Sequence, residues 1–245
     1  MCGRYFLLSD SDAIEAAFGV KPDVAPPPRY NISPGQPILI VRQDPLTYAP
    51  KREVAMVQWG FIPDWAKEPT FGGAGGGGAG PFVNARGETV HEKASFKNAY
   101  RRRRCLVIAD GFYEWQRSGK VKQPYRVDLG EPGLVAFAGL WELWQGPDGS
   151  EVETACMITR AAGPSIEAIH HREPVIIPPE GWDDWLHADE RDMKLYGRWL
   201  DRDPPLWTPH PVSRDVGNVA NDHAGLLAEV EVEEAPEEPQ QFDLF

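Results

Sequence analysis

The sequence predicts an α+β domain built on a curved, mostly antiparallel, barrel-like sheet with flanking helices. Three observations carry this expectation. Short apolar runs of strand length recur along the chain, turn residues separate them, and helical patterns are fewer and short. Glycine and proline number 24 each in 245 residues, a turn-rich composition that stays below that of a disordered chain.

The elements follow in order. Ser9, Asp10 and Ser11 offer caps for a short helix through Phe18. PILIVRQ (37–43) and VAMVQW (54–59) have strand character. FGGAGGGGAG (71–80) predicts a flexible loop between two ordered parts. It lacks the spacing and the following helix of a phosphate-binding loop. Phe96 and Tyr100 share one face of a helical piece over 92–101. CLVIA (105–109), PYRVDL (124–129), LVAFAGLW (134–141) and TACMITR (154–160) predict an antiparallel meander over 105–160, and PVII (174–177) adds a strand. Trp182, Trp185 and Leu186 share a face near 180–187, with a further helix at about 190–200. No repeat and no second domain is apparent. Residues 1–228 are expected to form one domain, and 229–245 a disordered acidic tail.

Composition narrows the function classes. Hydrophobic residues make up 42% and charged residues 25%, as in soluble globular proteins. No apolar run reaches the length of a membrane-spanning helix, and MCGRYFLLSDSD is not a secretory signal, so a cytoplasmic protein is expected. Three cysteines without a CxxC pair argue against a disulfide framework or structural zinc. Cys105 and Cys156 sit in apolar runs and read as small core residues. His91, His187, His210 and His223 lack metal-ligand spacing, and no metal or organic cofactor is implied. The net charge of −12 argues against a broadly basic nucleic-acid binder. However, residues 229–245 hold seven acids and no Lys or Arg, which leaves 25 bases against 30 acids on the body. A local cationic groove is compatible with that balance.

Cys2 is the most informative position. Loss of Met1, common before a small residue, would leave an α-amine and a thiol two carbons apart. Both have reactive fractions near neutral pH. The amine can form a Schiff base with an aldehyde, and the thiol can then close a five-membered thiazolidine ring at high effective concentration. Alternatively, the thiol alone can attack an acyl group.

Seven segments set Cys2 in context: MCGRY (1–5), RYNISPGQ (29–36), WGFIPDW (59–65), VNARGET (83–89), ADGFYEW (109–115), IHHREPVII (169–177) and HPVSRDVGNVAND (210–222). In this order they resemble the SOS response-associated peptidase (SRAP) family of abasic-site proteins. The resemblance implies a single SRAP-like domain and residue roles. Cys2 matches the N-terminal nucleophile that captures the ring-opened aldehyde of an abasic site as a thiazolidine crosslink. Asn84 matches an amide that orients Cys2 and the opened sugar. Glu114 matches the acid/base, and its setting between Tyr113 and Trp115 predicts a raised pKa. His170 matches a second proton-transfer residue for ring-opening, strand cleavage or crosslink reversal. Plainer readings stand beside these: Asn84 closing a turn, Glu114 as a strand-edge ion-pair partner.

For DNA binding, Arg4 and Arg86 flank the reactive centre in these motifs and can fork onto phosphates, as can Arg172, while the resemblance points to Trp65 as a stacking residue, the alternative for Trp65 being core. Arg101 to Arg104 form the only basic run, either a phosphate contact or a solvated helix end. The implied substrate is single-stranded DNA, or a single-strand/duplex junction, bearing abasic sites, bound by a monomer. Three features depart from the family pattern: a long Gly-rich segment, His91 after NARGET, and His171 where other members often carry Asp. The last five residues, Gln241-Phe242-Asp243-Leu244-Phe245, resemble a bacterial sliding-clamp-binding peptide. Leu244 and Phe245 would fill an apolar pocket and Gln241 bond at its edge, at a replication fork. Two other functions remain open: a thiol peptidase that removes Met1 through Cys2, and a non-enzymatic clamp adaptor.

Overall fold

The computed structural model describes residues 2–46, 51–67, 81–119, 121–130, 133–187, 189 and 191–232. The glycine-rich segment 71–80 and the C-terminal peptide with Gln241, Leu244 and Phe245 lie outside the described residues. The strands are β1 (Arg4–Leu7), β2 (Arg29–Ile32), β3 (Pro37–Gln43), β4 (Arg52–Trp59), β5 (Asn84–Arg86), β6 (Arg104–Ala109), β7 (Gly111–Ser118), β8 (Val121–Asp128), β9 (Val135–Gln145), β10 (Glu151–Ala161), β11 (Arg172–Pro174) and β12 (Thr208–Pro211). The helices are α1 (Ser11–Phe18), α2 (Lys97–Arg102), α3 (Trp182–His187) and α4 (Met193–Gly197).

One sheet has the order β12-β8-β7-β1-β2 and the other β11-β10-β4-β3-β6-β9. β9 also pairs with β10, so β10, β4, β3, β6 and β9 close into a five-stranded barrel. Most pairings are antiparallel; β10 runs parallel to β4 and β5. The expected α+β barrel-like class is therefore present. The expected meander is only partly so. β7–β8 and β9–β10 are hairpins, but β6 pairs with β3 and β9 rather than with β7.

The chain changes sheets at Asp110-Gly111. The Asp110 carboxylate accepts hydrogen bonds from the Leu8 and Ser9 N–H groups and the Ser9 hydroxyl, tying the end of β1 to this corner. A Cβ on Gly111 would lie 2.5 Å from the Phe6 ring and 2.6 Å from the Val127 carbonyl oxygen. Only glycine permits that approach of β1 and β8 to β7.

Every residue of β6 is buried, because it forms barrel wall on one face and packs under α3 on the other. Each large apolar side chain buried there contributes about 1.5–3 kcal/mol relative to exposure. Cys105 and Cys156 are core residues, as expected. The Asp10 side chain caps α1 by accepting from the Asp12 and Ala13 N–H groups, and Gly19 ends it with φ 70°. Phe18 stacks on Trp182 with ring centroids 4.3 Å apart. A second, smaller core lies on the outer face of the other sheet, where Phe6 and Tyr113 meet Val212, Val216 and Leu226. The ordered body continues past residue 228: Glu229 bridges Val212, and the Val230 N–H donates to the Pro211 carbonyl. No described helix is long and apolar enough to cross a membrane.

Candidate active site around Cys2

The pairing of β1 with β7 sets Arg4 opposite Tyr113. Continuing that register brings Cys2 beside Glu114 and Trp115. The two-residue strand period puts Glu114 on the same side of β7 as the core residue Phe112, while Tyr113 faces the outer cluster. On the barrel side, β5 sets Asn84 opposite Met157 of β10. Both reach Cys2. The Asn84 Nδ2 donates to the Cys2 carbonyl at 2.9 Å, and the Cys2 thiol lies 3.9 Å from the Met157 sulfur. The Asn84 Oδ1 is buried with no hydrogen-bond partner among the described residues.

His170 arrives on the loop between β10 and β11. The Gln116 side chain of β7 donates to the Ala168 carbonyl, which holds this loop against the strand that carries Glu114. The His170 Nδ1 lies 3.8 Å from the Glu114 Oε2. That nitrogen accepts the Arg172 backbone N–H at 3.0 Å, which places the ring proton on Nε2. The same nitrogen is 3.3 Å from the Arg172 carbonyl; the shorter contact decides, because a backbone N–H can only donate. The His171 ring stacks on His170 with centroids 4.3 Å apart, on the exposed side.

The electrostatics follow from burial. Desolvation raises the Glu114 carboxyl above the ordinary carboxylate range. Desolvation, and after it the Glu114 charge, push the Cys2 thiol well up. Burial lowers the His170 imidazole to about 4, so it is neutral at pH 7. The pocket thus holds a protonated thiol, a carboxyl able to give and take a proton, and a neutral imidazole.

The residues expected on DNA differ in their commitments. The Arg4 guanidinium donates to the Asn31 Oδ1 and to the Val216 and Gly217 carbonyls. Arg172 makes a bidentate pair with Glu88 and donates to the Thr159 carbonyl. Arg86 is exposed and lies two residues beyond Asn84 on β5, on the same face. Trp65 is 54% exposed, so it is not a core residue. Of the basic run, Arg104 is buried and donates to the carbonyls of Trp185, Tyr100 and Arg101, whereas Arg101 and Arg102 are exposed. Met157 carried no sequence signal, and His171 stood out only as a departure from the family pattern. Asn31 did lie in the RYN segment, and its amide donates to the Val216, Asn218 and Asn221 carbonyls. Gln241, Leu244 and Phe245 lie outside the described residues.

Comparison with known proteins shows the family. The chain is 37% identical over 196 residues to the abasic site processing protein YoqW of Bacillus subtilis, covering 78% of this chain and 83% of that protein. It is 31% identical over 247 residues to the abasic site processing protein YedK of Escherichia coli, covering 94% and 100%. A crystal structure of a Bacteroides thetaiotaomicron protein shares the fold with a TM-score of 0.78 at 21% identity, covering 94% of this chain and 100% of that one. The model of the family described as SOS response associated peptidase (SRAP) matches residues 1–219, and the chain belongs to that family.

Proposed function

We propose that this protein captures abasic sites in single-stranded DNA covalently, through the N-terminal Cys2 that loss of Met1 creates, as part of a DNA damage response. The observation that carries this reading is the convergence of Asn84, Glu114 and His170 on a fully buried Cys2. The relatives named as abasic site processing proteins support the same substrate.

The Cys2 amine adds to the aldehyde carbon of the ring-opened sugar and gives a carbinolamine. Glu114 protonates the departing hydroxyl, which leaves as water, and an iminium remains. The Cys2 sulfur adds to the iminium carbon, and the thiol proton returns to Glu114. The product is a thiazolidine, with net loss of one water. The Asn84 Oδ1, which has no hydrogen-bond partner among the described residues, would accept from the amine. Reversal runs the same steps backwards. A lyase branch would use His170 to remove the proton next to the iminium carbon.

The burial that keeps the thiol protonated disfavours the peptidase alternative. A thiol peptidase needs a thiolate, usually beside a cationic partner, and His170 is neutral here. Attack by the amine has no such requirement.

The test is incubation with single-stranded DNA holding one abasic site, read by denaturing gel and intact mass. A shifted band lacking Met1, and absent with Cys2→Ala, is expected. No adduct from fully processed protein would overturn the reading. Arg86→Ala should weaken reversible binding and reduce the salt slope of log Kobs by about 0.7, the value for one phosphate on a single strand. Arg4→Ala should act chiefly on stability, because its guanidinium holds β2 and residues 216–217. Salt titrations and melting curves of both variants separate these effects. The C-terminal QFDLF peptide, with Gln241, Leu244 and Phe245, would bring this chemistry to a bacterial sliding clamp at the replication fork.

A further inference from the structure

A groove of about 1070 Å³ lies at the Leu8 and Asp110 end of β1 and β7, opposite the end that carries Cys2. None of Cys2, Asn84, Glu114 or His170 lines it. Its walls are largely apolar. Ala13 and Ala17 of α1 leave space on one side, and Leu134, Ile177, Trp182 and Leu227 close the others. Leu129 at its lining is 43% exposed.

We infer that this groove is the docking site of the chain's own C-terminal end, with Phe242, Leu244 and Phe245 as the anchors. The path of the chain points there. Leu227 is itself a wall of the groove, and Glu229 meets His210, another wall residue, at 3.4 Å. Glu229 bridges Val212 antiparallel, and the Val230 N–H donates to the Pro211 carbonyl. The chain therefore runs back along β12 toward Thr208. On the far side of β12, Thr208 pairs with Asp128, and Asp128, Leu129 and Gly130 line the groove.

Reach and chemistry agree with that path. Residues 233–245 follow the last described residue. At about 3.3 Å per residue they span roughly 40 Å, enough to return over the groove. Their three large apolar side chains all fall in the last four residues. The groove carries Arg126 and His210 but also Asp110 and Asp128. Apolar burial, rather than charge, makes the match. A short tether keeps the end at an effective concentration on the order of millimolar, so a weak site suffices. The docked state hides the side chains that a clamp would grip, and clamp binding must then draw them out.

The test uses the full chain with a benzoylphenylalanine photocrosslinker at position 245. Irradiation followed by peptide mass mapping should give intramolecular adducts on residues 13–17, 129–136 or 176–182. Their yield should not change on tenfold dilution. In parallel, hydrogen exchange of the full chain carrying Leu244→Asp with Phe245→Asp should speed up at those same residues. Adducts between two chains that fade on dilution would assign the groove to a second copy and overturn the inference. Adducts elsewhere, or unchanged exchange in the double variant, would overturn it too. No DNA enters either experiment, so the outcome is independent of covalent capture.

Discussion

Glu114→Gln is expected to make the protein more heat-stable and nearly inactive in covalent capture. Glu114 is buried, and desolvation raises its carboxyl above the ordinary range. For a group with a raised folded-state pKa, its stabilising contribution is complete below the unfolded pKa. It is lost as pH rises through the folded pKa. Ionised Glu114 therefore costs stability at neutral pH, and a neutral amide of the same shape removes that cost. A gain on the order of 1 kcal/mol corresponds to about 2–4 °C in Tm for a domain of this size. The gain should vanish below about pH 4, where the native carboxyl is protonated in both states. Meanwhile the amide can neither protonate the departing hydroxyl nor receive the thiol proton. Loss of a positioned acid/base slows reaction by about 10²–10⁴-fold. Melting curves at pH 4 and pH 7, with single-turnover capture assays, read both effects. A variant no more stable at pH 7 than the unaltered protein would contradict the desolvation argument.

Glu173→Ala should have the largest effect on stability. Glu173 has no exposed surface. Its Oε1 accepts from Arg160, and its Oε2 accepts from the Gly163 N–H and the Trp207 indole. Truncation strands the Gly163 N–H and the Trp207 indole in a buried site and takes the carboxylate from Arg160, which keeps the Arg202 carbonyl. Removing one partner of a buried ion pair costs about 3–5 kcal/mol, a fall in Tm of about 6–20 °C. Gly163 opens the loop that carries His170, so capture should slow as well. Glu173→Gln keeps two acceptor lone pairs and should lose less. Chemical denaturation of both variants checks this ranking, and a loss under about 1 kcal/mol for Ala would refute it.

Much of the barrel was readable along the chain, because β3, β6 and long stretches of β9 and β10 are buried on both faces. PILIVRQ coincides with β3, and CLVIA and TACMITR lie within β6 and β10. The other sheet was harder. β1 and β2 have four residues each, and GFYEWQRS in β7 mixes aromatic and charged positions without clean alternation. Partner choice was hidden as well. Asp110-Gly111 reads locally as a hairpin turn, yet it sends the chain to another sheet because Phe6 and Val127 crowd Gly111 from both sides. The helical piece expected over 92–101 begins at Lys97, after turns closed on Thr89 and Lys93. The site residues were legible only through resemblance. Cys2, Asn84, Glu114 and His170 come from four distant segments that no spacing rule connects. The commitment of Arg4 to carbonyls more than 200 residues away could not be read from MCGRY.

The burial of Cys2 also sets a timetable for the protein's own synthesis. Once β1 lies between β2 and β7, the backbone at Cys2 offers no surface for another enzyme to grip. β1 is pinned there by Arg4, whose partners are the carbonyls of Val216 and Gly217. Those partners leave the ribosome more than 200 residues after Arg4. At about 5–20 residues per second, the amino terminus stays open to outside processing for roughly ten to forty seconds. After that interval Cys2 lies inside the fold, and an outside enzyme no longer reaches its backbone.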